Sequence, residues 1–228
     1  MTVAKDLMVL GFRGITNLIC RIDDTQLARV PDRGPLILVS NHVNLVEIPI
    51  LFTRLQPRPL TGLVLARRWD HIWTRWLLET AGAIPLRRGE ADLSALRKAK
   101  EMLARGYIVG IAPEGTRSGD GKLRKAHAGV VSLALHSQAP LLPVVFYGGE
   151  GYVQNMLHLR RSDFHIVVGE PFYLDPKGKK VERKLRQMIL DEIMYQLAQL
   201  LPADYRGVYS DLENATQNYL NFNQFDPT

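Results

Sequence analysis

Short apolar runs alternate along this chain with longer segments of helical periodicity, and this alternation constrains the possible folds more than any other feature. The apolar runs are bounded by glycine, proline or asparagine, as buried strands are. They cover residues 35–40, 62–66, 107–112, 141–147 and 164–169. The helical segments cover about residues 67–81, 91–104, 126–137 and 181–200. This order predicts an α/β fold, a single domain in which helices flank a central, mostly parallel or mixed sheet.

The first part of the chain carries a further helical pattern. Apolar residues recur there at helical spacing, with basic and polar residues between them: Leu7, Leu10, Ile15, Leu18, Ile19 and Ile22. The pattern predicts an N-terminal amphipathic helix, which packs on the core or lies on a membrane surface. We therefore divide the chain into an N-terminal amphipathic segment (1–30), an α/β domain (31–201) and a polar C-terminal extension (202–228).

Charge and cysteine content limit the partners. The 29 Lys and Arg residues exceed the 23 Asp and Glu residues and give a net charge of +6, which favours anionic partners such as phosphates or an acidic lipid surface. We expect no nucleic-acid partner, because the sequence contains no recognised nucleic-acid-binding module and the positive charge is the only feature in its favour. The single cysteine, Cys20, excludes an internal disulfide and is predicted to be a small buried hydrophobe.

Membrane insertion and secretion are both disfavoured by the sequence. No apolar stretch approaches the roughly 18 residues of a membrane span. The first residues do not form a signal peptide, because Asp6, Arg13 and Asn17 interrupt the apolar segment. Residence in the cytoplasm is the expectation.

The first candidate site begins at Asn41, directly after a buried strand, which is where α/β sheets place their sites. If His42 lies in the turn and Glu47 in the first turn of the next helix, the carboxylate can fold back onto the imidazole. Such a pair suits a general base that acts on a hydroxyl. Alternatively, Asn44 caps the helix and Glu47 completes a capping box, although Pro49 favours a later helix start.

Two further motifs contain residues suited to binding an anion. Residues 113–118, with the sequence PEGTRS, follow a strand and precede a glycine-rich stretch, and the alternative is a solvated turn. The motif is not a P-loop, because Leu123 stands where Ser or Thr would bind magnesium. Arg87 and Arg88 follow a short apolar piece and could bind phosphate through their guanidinium groups, or they are ordinary surface charges.

A fourth motif, residues 142–145, is a core strand without chemistry of its own, and Pro143 limits its place in the sheet. The sequence also disfavours two enzyme classes, serine hydrolases and metal-dependent hydrolases. The sequence has no GxSxG nucleophile elbow, and its histidines form no close pair of the HExxH kind, so we expect no metal site.

In order and spacing, these four motifs resemble the glycerolipid acyltransferase family, which contains the 1-acylglycerol-3-phosphate acyltransferases and other lysophospholipid acyltransferases. The family pattern NHxxxxD is similar to the segment from Asn41 to Glu47, and the EGTRS pattern matches residues 114–118 letter for letter. The arginine-bearing pattern is similar to residues 85–87, and the fourth to residues 142–144. The resemblance covers about residues 36–147.

The resemblance implies transfer of a fatty acyl group from acyl-CoA or an acyl-acyl carrier protein to a hydroxyl of a lysophospholipid. The leading acceptor is 1-acylglycerol-3-phosphate, which would give phosphatidic acid. By this analogy His42 is the general base and Glu47 orients it. The implied acceptor phosphate site comprises Arg87, Glu114, Gly115, Thr116 and Arg117, with Glu114 as its organiser.

The resemblance also implies partners and a location. The implied partners are a lipid acceptor, an anionic membrane surface and an acyl carrier protein. No bound cofactor and no metal are implied. The expected location is peripheral, on the cytoplasmic face of the membrane, and the N-terminal helix and the Trp- and Arg-bearing helix of residues 67–81 are the predicted docking elements.

Two positions depart from the family pattern. Glu47 stands where the family usually has Asp, and His127 stands where it often has Lys, so His127 is left out of the predicted site. Two alternatives therefore stay open. One is acyl transfer to another acceptor, such as a different lysolipid, an amino-acid lipid or a glycolipid, and the other is a lipid-binding protein without turnover.

Overall fold

The computed structural model of the protein describes residues 3–87, 92–223 and 225. Within these residues the helices are α1 (Val3–Ile19), α2 (Glu47–Arg54), α3 (Ile72–Thr80), α4 (Leu93–Ala104), α5 (Gly129–Ser137), α6 (Tyr152–Leu157) and α7 (Arg183–Leu200). The strands are β1 (Cys20–Asp23), β2 (Leu36–Ser40), β3 (Leu60–Leu65), β4 (Ile84–Leu86), β5 (Ile108–Ile111), β6 (Leu141–Tyr147), β7 (Ser162–Val168), β8 (Tyr173–Leu174) and β9 (Leu220–Asn221).

Seven of these strands form one mixed sheet in the order β1-β7-β6-β2-β5-β3-β4. Every neighbouring pair in it is parallel except β6 and β7. The prediction of an α/β domain with a mostly parallel or mixed sheet is therefore confirmed. Because β6, β2, β5, β3 and β4 run in one direction, the segments that follow them all emerge at one edge, called here the carboxyl edge.

The sheet is buried on both faces, as its continuous apolar strands require. In β2, Leu36 and Leu38 face a cluster that includes Ile50 of α2. Ile37 and Val39 face the opposite cluster, which is built with residues of α4, α5 and α7. Since strand side chains alternate, the central strand contributes to two cores and holds the carboxyl edge in place.

The predicted elements are found with small shifts at their ends. The exception is the predicted helix over residues 67–81, which is a short 3₁₀ turn (Ala66–Asp70) followed by α3. His71 separates the two pieces because its backbone is extended, with φ −100° and ψ 132°. The predicted start of α4, Ala91, lies outside the described residues. The sequence did not predict β1, β4, α6, β8 or β9, since two to six residues are too short for a clear period.

Pro143 does not limit β6 to the sheet border: the strand lies in the interior, between β7 and β2. The antiparallel pairing with β7 begins only at Val144 and Val168. Pro143 thus lies opposite the end of β7, where its carbonyl accepts the Gly169 N–H at 2.9 Å. Proline has no N–H to donate back to Gly169, so this last pair keeps one bond of two, while the ladder from Val144 onward is intact and the strand tolerates the proline.

Helix α1 is amphipathic as predicted, but its apolar stripe faces outwards. Leu7, Leu10 and Leu18 are 64%, 69% and 76% exposed, whereas Met8 and Thr16 are buried beneath the helix. The next residues form β1, which pairs with β7, so the N-terminal segment supplies an outer strand of the main sheet. No helix among the described residues combines the length and the apolar character needed to cross a bilayer.

The domain boundaries at residues 30 and 201 stay a prediction. The C-terminal extension contributes β9, which pairs with β8 in a small antiparallel sheet.

Cys20 is fully buried, as predicted, and its burial raises the pKa of its thiol.

Candidate active site

The turn that follows β2 is fixed by the side chain of Asn41. This buried amide donates to the Phe146 carbonyl at 2.8 Å and accepts from the Phe146 N–H at 2.9 Å. It therefore continues the pairing of β2 with β6 one step beyond the strand. A buried amide with both ends satisfied is a rigid support, so the next residue, His42, has a defined position.

His42 and Glu47 form an ion pair or hydrogen-bonded pair at the carboxyl edge, as the sequence predicts. The Nδ1 atom of His42 is bonded to the Oε1 atom of Glu47. The histidine side chain is 20% exposed, whereas the glutamate side chain is 3% exposed. The carboxylate thus fixes one ring nitrogen, and the opposite nitrogen, Nε2, points away from it.

Glu47 also accepts hydrogen bonds from the backbone of the turn that precedes helix α2. Its Oε1 atom accepts the Val43 N–H at 2.7 Å, and its Oε2 atom accepts the Asn44 N–H at 2.9 Å. The Asn44 side chain accepts the Val46 N–H at 2.9 Å. Helix α2 begins at Glu47, so Pro49 lies in its first turn and does not delay the start. The capping alternative is found only in part: the N-cap of α2 is Val46, which has no side-chain cap, whereas Asn44 and Glu47 hold the turn before it.

Glu114 is a second buried carboxylate, and it joins two loops. Its Oε1 atom accepts the His42 N–H at 2.9 Å, and its Oε2 atom accepts the Arg124 N–H at 2.8 Å. Burial raises its pKa to about 7, and these two hydrogen bonds oppose the shift. Since both oxygens are engaged with backbone inside the protein, the geometry fits the role of an organiser rather than of a phosphate contact.

The loop of residues 113–125, called here the EGTRS loop, lies directly against the histidine turn, residues 41–46. The Ser118 N–H donates to the His42 carbonyl at 2.8 Å, and the Gly119 N–H donates to the Val43 carbonyl at 3.0 Å. Thr116 and Arg117, between these bonds and Glu114, are exposed to solvent. The loop therefore holds its backbone on the histidine turn and presents a hydroxyl and a guanidinium outwards.

Gly115 allows the sharp bend of this loop. Its φ of +62° is in the left-handed region, and a Cβ there would lie 3.2 Å from the His127 ring. His127, which the sequence analysis left out of the site, thus packs against the EGTRS loop. Its N–H donates to the Pro113 carbonyl at 2.8 Å.

Arg87 lies at the same edge but apart from the other predicted residues. It follows β4, which is two strands from β5 and three from β2, so about 10 Å and 14 Å separate the strand axes. Its N–H donates to the Asp92 carboxylate at 2.9 Å, and its side chain is exposed. Asp92 is also the N-cap of α4 and accepts the Ala95 N–H. Hydrogen bonds to its carboxylate, the one from Arg87 first, lower the pKa of Asp92 to about 2. Arg88 lies outside the described residues.

The structure thus brings together His42, Glu47, Glu114, Gly115, Thr116 and Arg117 and leaves Arg87 at a distance. Sequence reasoning gave no role to Asn41, although a polar residue at the end of an apolar strand signals a buried hydrogen-bond partner. The contact of Glu114 with Arg124 carried no such signal. Among the described residues, no three His, Cys, Asp or Glu side chains cluster as a metal site would require.

The fold and site define an α/β protein in which a carboxylate-paired histidine lies beside a loop of glycine, hydroxyl and arginine groups. A family model described as Acyltransferase matches residues 21–147, more than half of the chain. The chain belongs to the acyltransferase family. The matched segment includes the histidine turn, the EGTRS loop and strands β2 to β6.

Known relatives carry acyltransferase names. The chain is 34% identical over 157 residues to a lyso-ornithine lipid O-acyltransferase of Pseudomonas aeruginosa. The aligned residues cover 61% of this chain and 60% of that protein. It is 24% identical over 172 residues to a chloroplastic 1-acyl-sn-glycerol-3-phosphate acyltransferase of Brassica napus, covering 72% of this chain and 46% of that protein. The chain thus spans about half to three fifths of these two relatives.

A solved structure has the same fold. The crystal structure of a 1-acyl-sn-glycerophosphate acyltransferase from Thermotoga maritima superposes with a TM-score of 0.60 at 22% identity. The match covers 86% of this chain and 79% of that one. The likeness therefore includes the segments after residue 147 as well as the part matched by the family model.

Proposed function

We propose that the protein transfers a fatty acyl group from a thioester donor, acyl-CoA or an acyl-acyl carrier protein, to a hydroxyl of a lysophospholipid. The leading acceptor is 1-acylglycerol-3-phosphate, and the product is then phosphatidic acid. The observation that carries the proposal is the pair of His42 and Glu47 at the carboxyl edge. A histidine fixed through Nδ1 by a buried carboxylate is suited to take a proton through Nε2.

In the proposed reaction the acceptor hydroxyl approaches Nε2 of His42. The hydroxyl oxygen attacks the thioester carbonyl carbon while Nε2 takes its proton. The carbon–sulfur bond then breaks, the ester is complete, and the imidazolium returns the proton to the leaving thiolate. Glu47 stabilises the imidazolium between these two transfers. No covalent intermediate on the protein is needed.

The acceptor phosphate is proposed to bind at the carboxyl edge beside the histidine. Thr116 and Arg117 are exposed on the EGTRS loop, and Arg87 is exposed about 10 Å along the edge from β5. Two arginines at that separation can approach one phosphate from opposite sides, since each side chain is long and flexible. Glu114 and Gly115 contribute the loop conformation rather than a direct contact.

A second candidate acceptor is an amino-acid lipid. The relative at 34% identity is named as a lyso-ornithine lipid O-acyltransferase, whereas the compared 1-acyl-sn-glycerol-3-phosphate acyltransferase of Brassica napus is 24% identical. The histidine chemistry is the same for both acceptors, because each offers a hydroxyl. The arginines distinguish them, since they favour a phosphate headgroup.

The experiment is thiol release from a long-chain acyl-CoA, with lysophosphatidic acid, a lyso-ornithine lipid or no acceptor, followed by mass spectrometry of the lipid product. An acyl carrier protein thioester serves as the second donor. We expect release that depends on an acceptor, loss of it in His42→Ala, and retention in His136→Ala, a histidine exposed in the last turn of α5. Absence of acceptor-dependent release with every donor and acceptor would refute acyl transfer.

We also propose peripheral binding to an anionic membrane surface. Ile72, Trp73 and Trp76 of α3 are 76%, 82% and 51% exposed, and α3 follows β3, which ends at the carboxyl edge. Arg67 and Arg68 precede them, and the exposed stripe of α1 is a second apolar surface. Exposed tryptophans next to arginines favour the interface of an anionic leaflet. Full recovery of the protein in the supernatant after sedimentation with anionic vesicles at low salt would contradict this proposal.

A further inference from the structure

The first part of the C-terminal extension, residues 203–209, lies against the EGTRS loop. The Tyr205 carbonyl accepts the Leu123 N–H at 3.0 Å, and the Leu123 carbonyl accepts the Val208 N–H at 3.2 Å. Between them Gly207 has a φ of +53°, and a Cβ at that position would lie 2.1 Å from the Leu123 carbonyl oxygen. The extension therefore approaches the loop backbone as closely as a glycine permits.

The side chain of Tyr205 packs under the glycine-rich part of the same loop. A Cβ at Gly121 would lie 2.7 Å from the Tyr205 ring, and Gly121 is buried with a φ of +78°. The ring also packs on Tyr147 at the end of β6, with centroids 5.6 Å apart. An aromatic ring in this position limits how far the loop can move towards the sheet.

Tyr205 is also joined to the loop after β6. Its hydroxyl donates to Oε2 of Glu150 at 3.2 Å, and Oε1 of Glu150 accepts the Gly148 N–H at 3.1 Å. The next residue, Gly149, accepts a hydrogen bond from the Asn44 side chain at 2.9 Å. One tyrosine thus contacts the EGTRS loop and, through Glu150, the loop that supports the histidine turn.

We propose that Tyr205 is a positioning residue that holds the EGTRS loop in the conformation required to bind the acceptor headgroup. The inference rests on the proposed function, and it assigns a role to a segment beyond the region matched by the family model. Tyr205 does not touch the reacting atoms. It acts through Leu123 and Gly121, whose backbone continues into Arg124 and its bond to Glu114.

The second part of the extension offers a matched control, because it is attached elsewhere. Glu192 of α7 is buried and accepts hydrogen bonds from the Thr216 hydroxyl at 2.6 Å and from the Asn218 and Tyr219 N–H groups, both at 2.9 Å. These contacts hold residues 216–219 on α7 rather than on the EGTRS loop. A variant there perturbs the extension without touching the EGTRS loop.

The test compares Tyr205→Leu and Tyr205→Phe with Thr216→Val in the full chain. Kinetics with varied acceptor and varied donor give KM for each substrate and kcat, and thermal unfolding gives the change in stability. For Tyr205→Leu we expect an acceptor KM raised about fivefold or more with a smaller change in kcat and donor KM. Tyr205→Phe keeps the ring, so its acceptor KM should rise by about twofold. Thr216→Val should leave the acceptor KM unchanged.

Amide hydrogen exchange provides a readout that does not depend on turnover. The N–H groups of Leu123 and Arg124 should exchange faster in Tyr205→Leu than in the wild type, and at the wild-type rate in Thr216→Val. If the wild type shows no acyl transfer, the proposed function fails while exchange still decides whether Tyr205 holds the loop. Unchanged exchange at these amides, or equal KM changes in Tyr205→Leu and Thr216→Val, would overturn the inference.

Discussion

The two halves of the carboxyl edge are held in contrasting ways. Around β2 and β5, two buried carboxylates accept hydrogen bonds from the backbone. Glu47 accepts the N–H groups of Val43 and Asn44. Glu114 accepts the N–H groups of His42 and Arg124. Around β3 and β4, α3 has no buried residue, and the Arg87 side chain is exposed. One half is built from buried, mutually satisfied polar groups, and the other presents long side chains to solvent.

The contrast separates the chemical step from substrate capture in the proposed reaction. Proton transfer requires a fixed distance between donor and acceptor atoms, so the histidine must be rigid. A lipid headgroup and an acyl chain are large and variable, and exposed arginines and aromatics can adjust to them. Variants in the buried half should therefore change kcat and stability, and variants in the exposed half should change KM or membrane binding.

After His42 itself, the largest effect is expected at Glu47. Glu47→Gln keeps the size of the side chain but removes the charge that stabilises the imidazolium, so kcat should fall by about 100-fold. Glu47→Asp keeps the charge and should retain more activity than Glu47→Gln. The measurement is steady-state thiol release at saturating donor and acceptor. A larger loss in Glu47→Asp than in Glu47→Gln would show that side-chain length, rather than charge, is what the site requires.

Glu114 should affect stability more than any residue of the exposed half. In Glu114→Gln the amide nitrogen faces one of the backbone N–H groups of His42 and Arg124, so one hydrogen bond is lost inside the protein. We expect a loss of about 1–3 kcal/mol in the free energy of unfolding, measured in urea at pH 8. Unchanged stability would contradict the role of Glu114 in joining the two loops.

The pH dependence of stability provides a separate test of Glu114. Its pKa rises from an ordinary 4.5 to about 7 on folding, so the folded protein binds more protons than the unfolded one between these values. The contribution of this group to stability therefore falls as pH rises from about 4.5 to 7, by at most about 3 kcal/mol. The stability difference between wild type and Glu114→Gln should shrink over this window. A constant difference from pH 5 to 8 would contradict the raised pKa.

In the exposed half, Arg87→Ala should weaken acceptor binding without disturbing the fold. Loss of one charged contact to a phosphate should raise the acceptor KM by about tenfold while kcat and thermal stability stay near wild type. Arg105→Ala, in an exposed position after α4 at the opposite edge of the sheet, is the control. If the lyso-ornithine lipid is the true acceptor, Arg87→Ala will leave its KM unchanged.

The smallest effect is expected at Trp73 of α3. Trp73→Ala removes a side chain that is 82% exposed, so the fold should keep its stability. Binding to anionic vesicles should weaken several-fold, as measured by sedimentation at low salt. Met188→Ala removes a partly exposed apolar side chain of α7 and should bind vesicles as the wild type does. Equal vesicle binding by Trp73→Ala would exclude α3 as the docking element.

The sequence predicted the local part of the site and missed the long-range part. His42 and Glu47 are five residues apart, and the strand-to-helix turn between them is visible in the pattern of polar and apolar residues. Asn41 bonds to Phe146, Glu114 to His42 and Tyr205 to Glu150, at separations of 105, 72 and 55 positions, respectively. Periodicity describes each element by itself, so contacts between distant loops require the three-dimensional structure.

Periodicity likewise predicts helix α1 but not what its apolar face contacts. The spacing of Leu7, Leu10 and Leu18 predicts a helix and identifies its apolar face. It does not determine whether another element covers that face, and in the structure the apolar stripe is exposed while Met8 and Thr16 pack inwards. Pro143 is similar, because its effect depends on where the neighbouring strand ends.

The central claim is that His42 and Glu47 act as one unit in acyl transfer, and a double-mutant cycle tests it most directly. The measurement is kcat/KM for the acceptor in the wild type, His42→Ala, Glu47→Gln and the double variant. If Glu47 acts through the histidine, the double variant should be no slower than His42→Ala, within about twofold. If the two losses multiply, Glu47 acts independently of His42, and the account of the pair is wrong.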